Sequence, residues 1–356
     1  MKKIYMFVAL GLILGLVHFG FPTLSAAAEE LKPMTLKLSH TQPEGTWYSQ
    51  HYKWWAGEVE KRTGGKIKMQ IYWMESLNKL KDGLHAVQSR FADTGWITST
   101  YHPSNFPNFM LIDTAYNCGD NYIPALLSVL ETIDNEPNVK AELAKNNIVL
   151  IVPHNGGQFQ IGAKKPINNL EDLKGRTIRT VGGVNLDFYK ELGTNPVFMS
   201  FMDVYEALDR GTIQAMGNCP IMLSFQHKLQ EVIKSLYMVN HGSMVASGLF
   251  MNGDLYKSLP KETQDMFMKL RREFALRFAQ AQMDVEKENL KEWQTKYGAT
   301  VKYPTPEEQK ILHEAGRKAN DIFIKKQEGS GAPNGRKVVD FYHAAFKKYE
   351  AEYVKK

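Results

Sequence analysis

Residues 155–183 read NGGQFQIGAKKPINNLEDLKGRTIRTVGG, and the fold turns on how this stretch is parsed. Asn169 is a good N-cap for a short helix over 170–174, and Gly175 is its matching left-handed stop. A strand is then predicted from Arg176 to Val181, ended by Gly182 and Gly183. Helix signals flank it on both sides. It therefore reads as one of the parallel strands of an α/β sheet, and such strands are buried on both faces. A guanidinium near the carboxyl end of a buried strand is costly unless an anion meets it. Ligands of open α/β sheets sit at that end. Arg179 is thus a candidate anion receptor, and the alternative is an internal salt bridge to an Asp or Glu.

Outward from this segment the same alternation recurs. Strands are predicted at 34–39, 66–73, 92–97, 148–153, 196–199, 213–216, 236–240, 246–252 and 300–302. Ile67, Met69, Ile71 and Trp73 share one side of the second of these, at strand period. Helices are predicted at 47–62, 77–91, 123–145, 185–192, 201–209 and 222–233. Strand and helix alternate through the first hundred residues, so right-handed parallel connections are expected. From Pro260 to Tyr297 there is neither Gly nor Pro, and Phe267, Leu270, Phe274, Phe278, Ala281 and Val285 keep helical spacing. Such a helix is about 55 Å long, enough to span two domains. A coiled-coil dimer is the alternative, but the apolar face lacks a sustained heptad. Helices at 306–326 and from 337 onward, separated by a flexible loop at 328–334, complete the pattern.

The N-terminus reads as a secretory signal. Lys2 and Lys3 precede an apolar run over 4–17, and Ala26, Ala27 and Ala28 offer small residues for cleavage. Cleavage after Ala28 leaves 328 of the 356 residues and lowers the formal charge from +6 to +4 by loss of the two lysines. That length suits about two domains. The mature chain is expected in the periplasm. No basic, aromatic-interleaved stripe points to nucleic acid. Cys118 and Cys219 have no metal-ligand spacing, and two buried free thiols are expected, although export permits a disulfide.

Catalytic signatures are absent. There is no H-E-x-x-H, G-x-S-x-G, phosphate loop or G-x-G-x-x-G. The ten histidines are scattered, and neither metal nor cofactor is implied. What remains is a set of polar residues at predicted strand ends: His40 with Thr41 and Gln42, Thr98, Gln158, Arg179, and Asn218 with Cys219. Binding pockets set a few such groups against an aromatic wall, and Trp47, Trp73, Phe159 and Phe201 could form it.

Three segments carry a resemblance that covers nearly the whole mature chain. LSHTQPEGTWYSQHYKWWAGEVEKRTGGKI (38–67), PINNLEDLKGRTIRT (166–180) and PVFMSFMDVYEALDRGTIQAMGNCP (196–220) resemble the solute-binding subunits of tripartite ATP-independent periplasmic (TRAP) transporters, the DctP-like family. The resemblance implies a two-lobed α/β fold of the periplasmic-binding-protein kind, with hinge strands and a long helix crossing both lobes. It implies a first lobe of residues 29–154 with about 243–280, and a second of 155–242 with about 281–356. It implies that Arg179 takes a carboxylate through a bidentate pair, and that Thr98, Gln158, Phe201, Asn218 and Cys219 fall at or near cleft positions. Partners would be a small organic anion and the small and large membrane subunits of the transporter, with the receptor itself a monomer. The chain departs from the family where an arginine is common near the NGG segment, which offers only Gln158 and Gln160. It departs again at Asn218–Cys219, where the family usually reads close to D-G-x-E-N-P, and at Thr98, where a polar or acidic residue is frequent. These changes remove one positive and one negative charge from the expected pocket, and a small monoanion fits what is left. A ligand-sensing module of a receptor, a periplasmic enzyme and a receptor for an ATP-driven transporter are the alternatives.

Overall fold

The computed structural model describes residues 30–354, so the signal-peptide reading lies outside the described residues. The chain builds two sheets. The first contains β1 (Met34–Ser39), β2 (Ile67–Tyr72), β3 (Thr94–Thr98) and β4 (Ile148–Pro153). The second contains β5 (Phe159–Ala163), β6 (Thr177–Thr180), β7 (Asn195–Phe198), β8 (Ala215–Pro220), β9 (Ser235–Tyr237) and, after an excursion, β11 (Thr300–Lys302). The excursion is β10 (Ser247–Asn252), which returns to the first sheet. Strand orders are β2-β1-β3-β10-β4 and β11-β9-β5-β8-β6-β7. In each sheet one strand opposes its neighbours: β10 is antiparallel to β3 and β4, and β5 is antiparallel to β8 and β9.

Local chemistry explains most boundaries. Thr46 accepts from the Ser49 amide and starts the helix Trp47–Arg62, which ends where Gly64 and Gly65 take positive φ. Asn169 accepts from the Asp172 amide as expected, but the turn it caps, Leu170–Leu173, is a 3-10 helix. The expected single helix over 123–145 is two, Tyr122–Asn135 and Pro137–Lys145. Pro137 lacks an amide hydrogen and forces Glu136 into an extended conformation, whose carboxylate then caps the second helix at Val139. The helix expected over 77–91 shrinks to a 3-10 turn and Gly83–Gln88. The helix expected over 222–233 stops at Gln226, because Lys228 adopts the left-handed conformation. The third long helix runs further than expected, over Pro306–Ser330.

The helix Lys261–Thr295 is continuous for 35 residues, about 52 Å. Its first half lies on the first sheet's layer, where Phe267, Phe274 and Phe278 meet Trp55, Tyr52 and Tyr48. Its far end buries Trp293 in the second layer, with Nε1 donating to the Ile233 carbonyl at 3.1 Å. Two chain segments also cross between the sheets, 154–158 and 238–246. They run side by side: the Gly156 amide donates to the Met244 carbonyl (3.1 Å) and the Phe159 amide to the Gly242 carbonyl (2.8 Å). The final helix, Gly335–Tyr353, lies against Tyr122–Asn135 on the first sheet's side, tied by Lys348 to Glu131 and by the Tyr342 hydroxyl to the Asn117 carbonyl.

Candidate functional site

β6 is parallel to β7 and β8 and lies between them, and its Ile178, Arg179 and Thr180 are buried. Arg179 is fully buried. Its Nε donates to the Met199 carbonyl at 3.0 Å, and its guanidinium carbon lies 5.5 Å from the Phe201 ring centre. The terminal amines Nη1 and Nη2 find no hydrogen-bond partner among the described residues. No carboxylate pairs with them there, which removes the internal-salt-bridge reading. Burial pulls the guanidinium below its ordinary pKa, as expected of a cation without a compensating charge.

Arg179 faces a cavity of about 50 Å³ between the sheets. Of the residues expected at a site, the structure places Arg179, Thr98, Phe201 and Asn218 on its wall, with Thr41, Gln42 and Phe159 from the neighbouring segments. Trp96 and Tyr101 line it too, although neither stood in the expected set, and so does His154, which directly follows β4. Trp96 could have been found from the strand-end rule, since it lies two residues before Thr98. The remaining expected residues lie elsewhere. The Gln158 side chain donates to the Cys118 carbonyl (2.9 Å) and accepts from the Gly242 amide (3.2 Å), which binds the two crossing segments together. Cys219 turns away from the cavity and meets Ser224, as the two-residue period of a strand requires for a neighbour of Asn218. His40 sits one layer back, ringed by Tyr52, Trp73 and Trp96, with Nδ1 accepting from the Gln42 amide. Trp47 packs on Phe278 of the long helix, and Trp73 on His40.

Most of the wall's neutral polar groups are engaged by the protein itself. Asn218, at positive φ, accepts from Thr180 Oγ1 (2.8 Å) and the Val181 amide (3.3 Å), and donates to Asn185 Oδ1 (2.7 Å) and His241 Nε2 (3.3 Å). Its own amide donates to the Tyr189 hydroxyl at 2.7 Å. His241 accepts at Nε2, so its hydrogen lies on Nδ1, which donates to the Phe159 carbonyl. Burial lowers its pKa to about 3, which keeps this neutral tautomer. Trp96 Nε1 donates to Thr98 Oγ1 (3.2 Å). Gln42 donates to Thr41 Oγ1 and accepts from His227 Nε2 (2.9 Å), a bond that joins the two layers beside the cavity. His154 also has its pKa lowered to about 3 by burial. The Tyr52 hydroxyl donates to that of Tyr48, which leaves the Tyr48 hydrogen for His154 Nδ1 (2.6 Å).

Cys118 and Cys219 are both buried and free, and burial pushes each thiol up to about 12. No cluster of His, Cys, Asp or Glu able to hold a metal occurs among the described residues, and no helix there is long and apolar enough to cross a membrane.

Comparison with known proteins follows the same lines. The family model for bacterial extracellular solute-binding proteins, family 7 (DctP), matches residues 38–327. A solute-binding protein of Verminephrobacter eiseniae is 28% identical over 222 residues, covering 62% of this chain and 65% of that one. The 2,3-diketo-L-gulonate-binding periplasmic protein YiaO of Escherichia coli is 27% identical over 227 residues, covering 62% and 65%. The matched part thus spans slightly under two thirds of the length of these two relatives. A solved TRAP solute-binding protein from an unidentified marine microbe, specific for aromatic acid ligands and holding metahydroxyphenylacetate, superposes with a TM-score of 0.79. It is 21% identical and covers 89% of this chain and 99% of its own, so it speaks for the fold alone: a two-lobed α/β receptor.

Proposed function

The chain belongs to the bacterial extracellular solute-binding proteins of family 7, a family of receptors rather than enzymes, and from that premise we propose that it captures a small organic anion between its sheets and delivers it to the membrane subunits of a TRAP transporter. The observation that carries the anion is the Arg179 fork: fully buried, with both terminal amines unpaired among the described residues and the cavity in front of them. A carboxylate is the natural occupant, because two parallel N–H···O bonds satisfy both amines and the charge at once. The names of the relatives support this: a diketo sugar acid and an aromatic acid share one carboxylate. A sulfonate satisfies the same fork. Closure would take place about the two crossing segments, 154–158 and 238–246, and the closed form would dock on the membrane subunits.

The test is calorimetric titration of the purified protein and of Arg179→Ala with the acid that gives the largest thermal stabilisation in a screen. The wild type should bind and the variant should not, with unchanged circular dichroism. Equal affinity in the two proteins refutes the assignment. Small-angle scattering with and without that acid reads closure, and an unchanged radius of gyration at saturation counts against it.

A further inference from the structure

An anion-binding fork leaves open what the rest of the guest is made of, and the cavity wall answers that. Resting on the reading of Arg179 given above, we propose that the guest is a monocarboxylate with a compact apolar body, a single ring or a branched aliphatic chain, and that dicarboxylates and polyhydroxylated sugar acids are rejected.

Two features of the wall carry this. The first is charge. Among the described residues Arg179 is the one charged side chain lining the cavity, and no aspartate, glutamate or lysine joins it there. A second carboxylate on the guest would enter a closed space with no cation to meet it, and an uncompensated charge is the most heavily penalised group in such surroundings. A guest amine would likewise find no carboxylate.

The second feature is hydrogen-bonding capacity. A sugar acid needs the wall to replace the water on each hydroxyl. Most of the side chains that could do so are already committed, and the Tyr101 hydroxyl by itself cannot serve a polyol. Asn218 uses both its oxygen and its nitrogen on Thr180, Val181, Asn185 and His241. Gln42 is shared between Thr41 and His227, and Thr98 is held by Trp96. Recruiting any of them for a hydroxyl breaks a buried protein bond, so the exchange gains nothing and strands a partner. Trp96, Phe159, Phe201, Met202, Leu223 and Met244 make most of the remaining wall apolar. Phe201 already presents its face to the guanidinium, so a flat ring bound at Arg179 continues a stack that the protein has begun.

The experiment is titration of the full mature protein with five probes: phenylacetate, 3-methylbutanoate, succinate, gluconate and methyl phenylacetate. Phenylacetate or 3-methylbutanoate should bind at least tenfold more tightly than succinate and gluconate, and the methyl ester should not bind. Succinate or gluconate binding as tightly as the apolar acids overturns the inference about the body while leaving the anion reading intact. Binding of the ester at the acid's affinity overturns the anion reading itself. Absence of binding by all four acids overturns both. Arg179→Gln keeps a polar side chain of related shape. Loss of phenylacetate binding in that variant, with an unchanged unfolding transition, assigns the contact to the charge rather than to damage to the fold.

Discussion

Arg179→Met should make the empty protein more stable while abolishing its function. The arginine is buried with its charge uncompensated, and withdrawing an ion from water costs several kcal/mol even after the protein relaxes. Against that, the substitution forfeits the bond from Nε to the Met199 carbonyl, worth about 1 kcal/mol. It also forfeits the approach of the guanidinium to the Phe201 face, worth about 1 kcal/mol. Methionine keeps the straight stem and most of the bulk, so no large hole is left. The balance is a gain of about 1–4 kcal/mol, comparable to replacing buried ionic groups by apolar ones. Unfolding entropy of about 2 cal/mol/K per residue over this chain converts each kcal/mol to roughly 1.5 °C, so the midpoint should rise by about 2–6 °C. Differential scanning calorimetry on wild type and variant, both freed of co-purified acid by unfolding, dialysis and refolding, measures it. A variant that unfolds at the same temperature as the wild type, or below it, refutes the reasoning: the guanidinium would then be hydrated or structurally engaged in the resting protein, not held in waiting.

Gln42→Ala removes the hydrogen bond to His227 that joins the two layers beside the cavity; a bond of that kind contributes about 0.5–1.5 kcal/mol. The acid's dissociation rate in stopped-flow should rise by roughly 2- to 12-fold, with the association rate little changed, and equal dissociation rates dismiss the bond as a latch. A third expectation concerns Glu286 on the long helix, which accepts from the Tyr122 hydroxyl beside the 154–158 crossing and whose pKa burial raises from 4.5 to about 7. The folded protein holds that proton more tightly than the unfolded chain, so its contribution to stability is full below about 4.5 and is lost as pH rises through about 7. Urea midpoints should therefore fall less between about pH 5 and about pH 8 in Glu286→Gln than in the wild type. Asp113, also raised to about 7 by burial, contributes the same trend to both proteins and cancels. Parallel pH profiles would remove Glu286 from the account.

Much of the framework was legible because it is locally encoded. The strand over 34–39, the helix 47–62 and the strand over 148–153 sit where sequence reading put them, since each has its own period and its own stop. The long helix was legible because nothing in 35 residues interrupts it. What escaped was nonlocal or overridden. Residues 159–163, FQIGA, alternate Phe159, Ile161 and Ala163 with Gln160 and Gly162 over too few residues to stand out, yet they form β5 at the centre of the second sheet, paired antiparallel with β8 and β9. Only the return of distant strands makes that segment a strand. Pro137 was a local signal, and its effect on the residue before it broke a helix that hydrophobic periodicity alone predicted as continuous.

The site was legible to a different degree, and the reason is chemical. Sequence marks polar residues at strand ends, but two demands compete for them: the ligand, and the chain's own crossing between sheets. Gln158, expected at the ligand, spends both ends of its amide on the Cys118 carbonyl and the Gly242 amide. Asn218 lines the cavity, but its side chain stabilises a positive-φ strand end against Thr180, Asn185 and His241. A crossing segment in the interior has backbone groups that no ladder satisfies, and amide side chains are the groups able to supply both a donor and an acceptor to them. The same residue types therefore arise from the hinge as from a binding site, and counting polar strand ends cannot separate them. An arginine is different. It can donate but not accept, and its charge is not satisfied by amides. Buried beside Met199 with two amines left over, it is the group best met by an anion from outside the described chain, which is why one arginine carried more of the functional reading than all the amides together.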